Sequence, residues 1–129
     1  MALTVAATAT QAMGAALATD IGSAATIEIR TGTKPATPET TASGTLLATV
    51  SISGSFSSTG GVLTAANPAA ASIVASGTAG HFRVKTSGGT AKIDGTVGTS
   101  GADLNLDNTA LIAGGTVDLG VPTFTVPTS

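Results

Sequence analysis

The segment Ala79–Val97, AGHFRVKTSGGTAKIDGTV, decides the fold of this chain. Both arms of the segment alternate apolar and polar residues, which is the pattern of a β-strand with one buried face. Between the arms lies the glycine pair Gly88-Gly89, and glycine adopts the positive φ angles of tight turns without strain. The segment therefore predicts an antiparallel β-hairpin.

The turn fixes which residues of the two arms face each other. If Ser87 pairs with Thr90, the cross-strand pairs are Val84 with Ile93, Arg83 with Asp94, and Phe82 with Gly95. An aromatic ring above a glycine fills the space that the missing side chain leaves. The same register places Lys85 opposite Lys92, which is mildly unfavourable. We therefore expect either a splayed hairpin end or a carboxylate that neutralises these lysines.

The two faces of the first arm differ in character. Phe82 and Val84 are apolar and are predicted to point into the core, whereas His81, Arg83 and Lys85 are predicted to point outward. A surface or interface hydrogen bond is the expected role of His81.

A helical pattern precedes the β-region, over residues 10–21. The apolar residues that recur every four positions there are Ala9, Met13, Leu17 and Ile21. This spacing predicts a short helix that lies on the sheet. Thr8 or Thr10 is the expected N-terminal cap, and Gly22 is expected to end the helix.

Further strands are predicted on both sides of the hairpin. In the first, Ile27 and Ile29 alternate with charged residues, and in the next, Thr45–Ser53, the residues expected on the inward face are Leu46, Ala48, Val50 and Ile52. The polar loop Gly32–Gly44 separates the two, and a last strand is predicted over Thr116–Val126 with a bulge near Gly120 to Pro122. About eight short strands with glycine-rich turns indicate a mainly β fold, an antiparallel β-sandwich or barrel.

Length and composition bound the possible functions. The 129 residues fit a single domain, divided into an N-terminal arm and short helix (1–22) and a β-sandwich region (23–129). Five Lys and Arg residues and a net charge of −2 do not make the basic stripe that nucleic-acid binding needs. No apolar run approaches a membrane span, and the alanine-rich start lacks the basic region of a signal peptide. We expect no nucleic-acid or membrane partner.

Candidate chemical groups are few, and the sequence predicts that the protein is not an enzyme. Asp103 to Asn108 begins like a calcium loop but has neither the glycine nor the glutamate that such a loop requires, so a solvent-facing strand edge is the better interpretation. His81 is the one histidine and there is no cysteine, so a zinc site is not expected. A glycan-binding module would need an exposed phenylalanine beside a concave site. We predict no catalytic residue, no metal and no cofactor.

Several segments, in their order and spacing, resemble a family of small virion proteins from tailed bacteriophages. These segments are Ile27–Ala36, Gly44–Thr49, Gly77–Arg83, Ile93–Gly98 and Ser100–Leu106. The resemblance implies a jelly-roll-like sandwich that binds the capsid exterior as a decoration, or cement, protein. It implies the major capsid protein as a partner and no catalytic residue. At His81, where such proteins commonly have an aromatic residue, this chain departs from the pattern.

A decoration protein also fits the unreactive composition, because binding to a repeated shell gains affinity from multivalency. We expect a homo-oligomer, a dimer or a trimer, on the virion, with the arm of residues 1–8 or the tail adding a strand to a partner's sheet edge. The alternatives are a tail, connector or spike component and a receptor- or glycan-binding module. The residues predicted to lie in the interface are Leu3, Val5, Lys34, Pro35, Pro38, Pro122, Phe124 and Val126.

Overall fold

A computed structural model of the chain describes residues 7–35, 37, 40–52, 56–59, 62–64, 70–106, 108–118 and 123–125. In these residues the fold is mainly β with one helix, as predicted. The helix is α1 (Ala7–Ile21), and the strands are β1 (Thr26–Thr31), β2 (Leu46–Ser51), β3 (Ser57–Thr59), β4 (Val62–Thr64), β5 (Ala71–Ser72), β6 (Gly77–Lys85), β7 (Ala91–Gly98), β8 (Leu104–Asn105), β9 (Ala110–Leu111), β10 (Thr116–Val117) and β11 (Thr123–Thr125).

The largest sheet has the strand order β2-β1-β6-β7-β8, and β9 pairs with the start of β6. Two smaller sheets have the orders β11-β4-β3 and β10-β5. Within the described residues, all strand pairs are antiparallel except β7 with β8, where Val97 lies opposite Leu104 in a parallel arrangement. The prediction of a wholly antiparallel sheet is therefore wrong at this pair, since the chain loops back after β7 and runs beside it in the same direction. The jelly-roll sandwich stays a prediction.

Helix α1 ends where the sequence indicates. Gly22 has a φ of +74°, and its backbone N–H donates to the carbonyl of Ala18 at 3.0 Å, which is the arrangement of a glycine C-cap. The helix already includes Ala7, so Thr8 and Thr10 lie inside it and the predicted N-terminal cap is wrong. Ile21 is buried and anchors the end of the helix in the core.

The hairpin has the predicted register over most of its length. Phe82 lies opposite Gly95, and the pairs of Arg83 with Asp94 and Val84 with Ile93 form as expected. The ring of Phe82 is 1% exposed. The predicted pairing is therefore correct along the middle of both arms.

The turn of the hairpin is one residue longer than predicted. The backbone N–H of Thr86 donates to the carbonyl of Thr90, and that of Gly89 donates to Thr86. Gly89, with a φ of +92°, completes a three-residue loop of the kind that introduces a bulge. As a result Lys85 lies opposite Ala91 rather than Lys92.

The two lysines near the turn do not face each other, and each forms an ion pair with a carboxylate. A neutralising carboxylate was one of the two expectations for this end of the hairpin. Lys85 Nζ lies 3.1 Å from Glu28 Oε2, and Lys92 Nζ lies 2.8 Å from Asp20 Oδ2. The second pair joins the hairpin to α1, and the repulsion that the predicted register contained is removed.

A bulge in β2 changes which leucine enters the core. Ile29 lies opposite Ala48, but Arg30 lies opposite Leu46, so Leu47 is an extra residue without a partner in β1. Leu47 is fully buried, whereas Leu46 is only half-buried. The prediction that Leu46 points inward is wrong because the bulge reverses the phase of the strand.

The predicted last strand is two strands in different sheets. β10 pairs with β5, placing Val117 opposite Ala71, and β11 pairs with β4, placing Phe124 opposite Leu63. The bulge predicted near Gly120 to Pro122 lies outside the described residues.

Candidate interface surfaces

The predicted interface residues lie in three segments of which the structure describes only part. Leu3, Val5, Pro38, Pro122 and Val126 lie outside the described residues. Among the others, Lys34 is exposed and Pro35 is half-buried in the loop after β1, and the backbone of Phe124 belongs to β11. The role of these residues in an interface stays a prediction.

A surface that sequence reasoning missed lies at the turn after β9. Val74 and Ile112 are exposed by 66% and 70%, and they are the large hydrophobic residues with this exposure among the described residues. Ile112 lines a cleft of about 410 Å³ whose wall mixes aliphatic and polar side chains. The aliphatic ones include Ile73, Leu111 and Val117, and the polar ones are Asn108, Thr116 and Asp118. We call this surface the Ile112 cleft. An exposed aliphatic side chain in the wall of an open cleft is available for contact with another molecule.

Backbone hydrogen bonds hold the turn that presents Ile112. The N–H of Gly115 donates to the carbonyl of Ile112 at 3.0 Å, and the N–H of Gly114 donates to Ile73 at 2.9 Å. The N–H of Ala113 also donates to the Ser76 hydroxyl at 2.9 Å. Because the turn is anchored on both sides, the backbone that presents Ile112 is held in place.

The sequence held a signal for this surface that the strand prediction overlooked. Leu111 and Ile112 are adjacent large aliphatic residues, and only one of two neighbours in a strand can point into the core. Leu111 is buried, and the Gly114-Gly115 pair that follows places Ile112 in a turn.

A second surface is the polar face of the main sheet, where Arg83 is buried rather than exposed as predicted. Arg83 Nε donates to Asp94 Oδ1 at 2.7 Å, and Arg83 Nη2 donates to Asp94 Oδ2 at 2.8 Å. The same Nη2 donates to the carbonyl of Thr40 at 2.7 Å. The loop after β1 thus contacts this face and removes the Arg83–Asp94 pair from water.

The ion pair with Asp94 stabilises the charged form of Arg83. The side-chain hydrogen bond with Asp94 raises the pKa of Arg83 above its ordinary value, and the negative charges of Asp94 and Glu28 act in the same direction. Burial opposes this change by disfavouring the charged form. The guanidinium is therefore permanently charged in a bidentate pair.

Glu28 connects this pair to two further cations. It lies opposite Arg83 in the sheet, its Oε1 accepts from Arg30 Nε at 3.1 Å, and its Oε2 lies 3.1 Å from Lys85 Nζ. The described polar face therefore combines Glu28 and Asp94 with three cations.

His81 is fully buried, so the prediction of an outward-facing surface histidine is wrong. Its Nδ1 lies 3.2 Å from the carbonyl oxygen of Gly32, which can only accept, so Nδ1 donates the hydrogen bond. His81 Nε2 is buried without a hydrogen-bond partner among the described residues. A second cleft lies at the polar face, with Arg30 and Lys85 in its wall. The described lining of this cleft and of the Ile112 cleft does not include His81. The residue packs below the loop after β1 instead of facing solvent.

The acidic segment after β7 has the alternation that was predicted. Leu104 is buried while Asp103 and Asn105 are exposed. Asp103 Oδ2 accepts from the backbone N–H of Thr96 at 3.0 Å, so this carboxylate fastens the loop to β7. Among the described residues no group of three or more His, Asp or Glu side chains is arranged to hold a metal ion.

Two of the three phenylalanines belong to the core. Phe56 is 4% exposed and Phe82 is 1% exposed, so neither offers a flat face to a sugar ring. The side chain of Phe124 lies outside the described residues.

Comparison of the chain with known proteins adds no relative. No protein-family model matches it, and no curated protein or solved structure matches it either. In the part of the chain that the structure describes, no helix has the length and apolar character needed to cross a membrane. Function must therefore be argued from the two surfaces and from the composition.

Proposed function

We propose that this protein is a structural virion protein that binds the outer surface of a tailed-phage capsid and stabilises it. The observation that carries the proposal is the Ile112 cleft, where an exposed aliphatic side chain lies on an anchored turn in a chain of largely unreactive side chains. The resemblance of the sequence to small virion proteins supports the same role.

Adhesion to a shell fits this surface better than capture of a small ligand. A cleft of about 410 Å³ offers a small contact area, so we expect one copy to bind weakly. Many copies on a repeated lattice, or an oligomer with several such surfaces, reach high occupancy through multivalency. We propose the major capsid protein and a second copy of this chain as the partners.

A tail, connector or spike component is the second candidate within the virion, because such a protein uses the same kind of contact. A receptor- or glycan-binding role is less favoured, since Phe56 and Phe82 are buried. The location of the protein on an intact particle separates these roles.

The test is binding of the full chain to shells of the major capsid protein encoded in the same genome. Ile112→Asp replaces the exposed aliphatic side chain with a charge, and we expect at least a tenfold loss of affinity, measured by co-sedimentation. Ser51→Asp adds the same charge at an exposed position outside the cleft and is the matched control. Deletion of residues 1–8 tests the predicted contribution of the arm in the same assay.

Three outcomes would reject the proposal. The wild-type chain fails to sediment with the shells, or Ile112→Asp binds as tightly as Ser51→Asp does, or the protein localises inside the particle. Circular dichroism of each variant excludes misfolding as the cause of lost binding.

A further inference from the structure

Three of the five Lys and Arg residues of the chain line one cleft at the polar face. Arg30, Arg83 and Lys85 form its charged wall, and the segments 40–42 and 89–91 form its rim. The volume of this cleft is about 500 Å³, and none of the described residues that line it is acidic. A chain with a net charge of −2 thus concentrates its positive charge in one place.

The carboxylates beneath the cleft do not balance these cations. Glu28 forms ion pairs with both Arg30 and Lys85, and Asp94 forms one with Arg83. Two negative charges against three positive charges leave one positive charge in excess. This excess is partly shielded from water, because the side chains of Arg30 and Lys85 are only 17% and 26% exposed.

Among the described residues, Arg30 has hydrogen-bond donors without a partner. Its Nε donates to Glu28, and its two terminal Nη groups form no hydrogen bond or ion pair with any described residue. A guanidinium with free terminal nitrogens recognises a carboxylate through two parallel N–H···O bonds. The rim adds polar groups from Thr41 and Thr90.

We propose that this cleft binds a carboxylate group from another molecule. One excess positive charge matches a monoanion, and the planar guanidinium matches the two oxygens of a carboxylate. The carboxylate belongs either to an acidic side chain of a protein or to a free organic acid. The proposal does not depend on the capsid role, since it uses a different surface and a different interaction.

The experiment is a titration of the full ¹⁵N-labelled chain followed by its amide NMR signals. The probes are a hexaglutamate peptide, succinate, inorganic phosphate and a hexaglutamine peptide. We expect saturable shifts at residues 40–42 and 89–91 with hexaglutamate and none with hexaglutamine. If succinate binds as tightly as hexaglutamate per carboxylate group, a free organic acid is a sufficient ligand. If hexaglutamate binds and succinate does not, the ligand is an acidic segment of a protein. Tighter binding of phosphate than of either carboxylate probe would overturn the assignment.

Arg30→Gln removes the guanidinium that would form the two parallel hydrogen bonds, and we expect about a tenfold weaker interaction with the carboxylate probe that binds. Lys34→Gln is the matched control, because it removes the same charge from an exposed residue outside the cleft wall, and we expect a change of less than about twofold. Equal weakening by both variants would overturn the proposal by showing nonspecific attraction.

A third variant, Glu39→Gln, removes the acidic residue that precedes Thr40 in the sequence. Unchanged affinity supports an external ligand. Markedly tighter binding would overturn the proposal, since it would mean that the chain supplies its own carboxylate to the cleft. Amide spectra of the unliganded variants, compared with wild type, confirm that each remains folded.

Discussion

Replacing Gly95 with alanine tests how the hairpin is packed against the core. A β-carbon at this position would lie 2.5 Å from Cζ of Phe82 and 3.1 Å from the β-carbon of Asp103. Carbon atoms pack best at about 3.5 to 4.0 Å, so the overlap with the ring is about 1 Å. The ring is 1% exposed and has no free space to move into. Overpacking of this kind costs about 1–3 kcal/mol.

The expected loss for Gly95→Ala is about 2 kcal/mol, because alanine recovers roughly 0.5 kcal/mol of backbone entropy. For a chain of this length it corresponds to a fall of about 8 °C in Tm. Urea unfolding followed by far-UV circular dichroism measures it, since the chain has no Trp or Tyr for fluorescence. Gly88→Ala is the control: the nearest atom to its new methyl group is the Thr86 hydroxyl at 3.7 Å, and we expect a change of less than about 0.5 kcal/mol.

A double mutant isolates the cause. Phe82→Leu removes the part of the ring that the new methyl group would meet. The cavity that it leaves lowers the unfolding free energy by about 1–2 kcal/mol. In the Phe82→Leu background we expect Gly95→Ala to be neutral or slightly stabilising, a coupling of about 2 kcal/mol. The same loss in both backgrounds would refute the explanation that the ring and the glycine are matched.

The remaining predictions concern the polar face and the loop after β1. Asp94→Asn leaves a buried guanidinium without its charged partner, and we expect a loss of about 3 kcal/mol by urea unfolding; no loss would contradict a buried pair. Because the pKa of Arg83 is raised, its stabilising contribution is fully present below the ordinary arginine pKa and is lost only as the pH rises through the raised value. The difference in unfolding free energy between wild type and Arg83→Met is therefore expected to be equal at pH 7 and pH 10, and a decline by pH 10 would contradict this sign. In Gly44→Ala the new β-carbon would overlap the carbonyl oxygen of Thr31, at a residue whose φ is +72°. We expect the unfolding free energy to fall by about 2 kcal/mol, seen as a lower Tm in a thermal scan, and an unchanged Tm would rule out the close approach.

The middle of the hairpin was predictable because its signals are local. Alternation fixed the faces of the two arms, and Gly95 marked the place of the Phe82 ring. The turn was not predictable, since two adjacent glycines permit either a two-residue or a three-residue loop. In the observed three-residue loop Gly89 has a positive φ and Gly88 does not, whereas a two-residue type I′ turn would need a positive φ at both. Two identical residues give no signal for this difference.

The polar face was misjudged for a different reason. His81 and Arg83 alternate with core residues, which normally indicates solvent exposure. They are buried because Gly32 and Thr40, more than forty residues away in the sequence, supply carbonyl oxygens to them. Alternation gives the face on which a side chain lies but does not reveal a distant loop that covers that face.

The sequence and the structure point to different contact surfaces. The interface role of the loop containing Lys34 and Pro35 rests on its length and weak charge and stays a prediction. The Ile112 cleft was not foreseen because it depends on which of two neighbouring aliphatic residues enters the core. That choice is made by the pairing of β9 with β6, where Leu111 lies opposite Gly77, and such a long-range pairing has no local signature.

The position of β1 in the sheet has a consequence for how the chain acquires its fold. β1 lies between β2 and β6, and Ile27 pairs with Val84 far along the chain. Pairings across such distances must close long loops before they gain any stabilisation, which places folding in the range of milliseconds to seconds. Until Gly77–Lys85 arrives, one edge of β1 has no partner strand, and an unpaired edge beside apolar residues invites association with other unfinished chains.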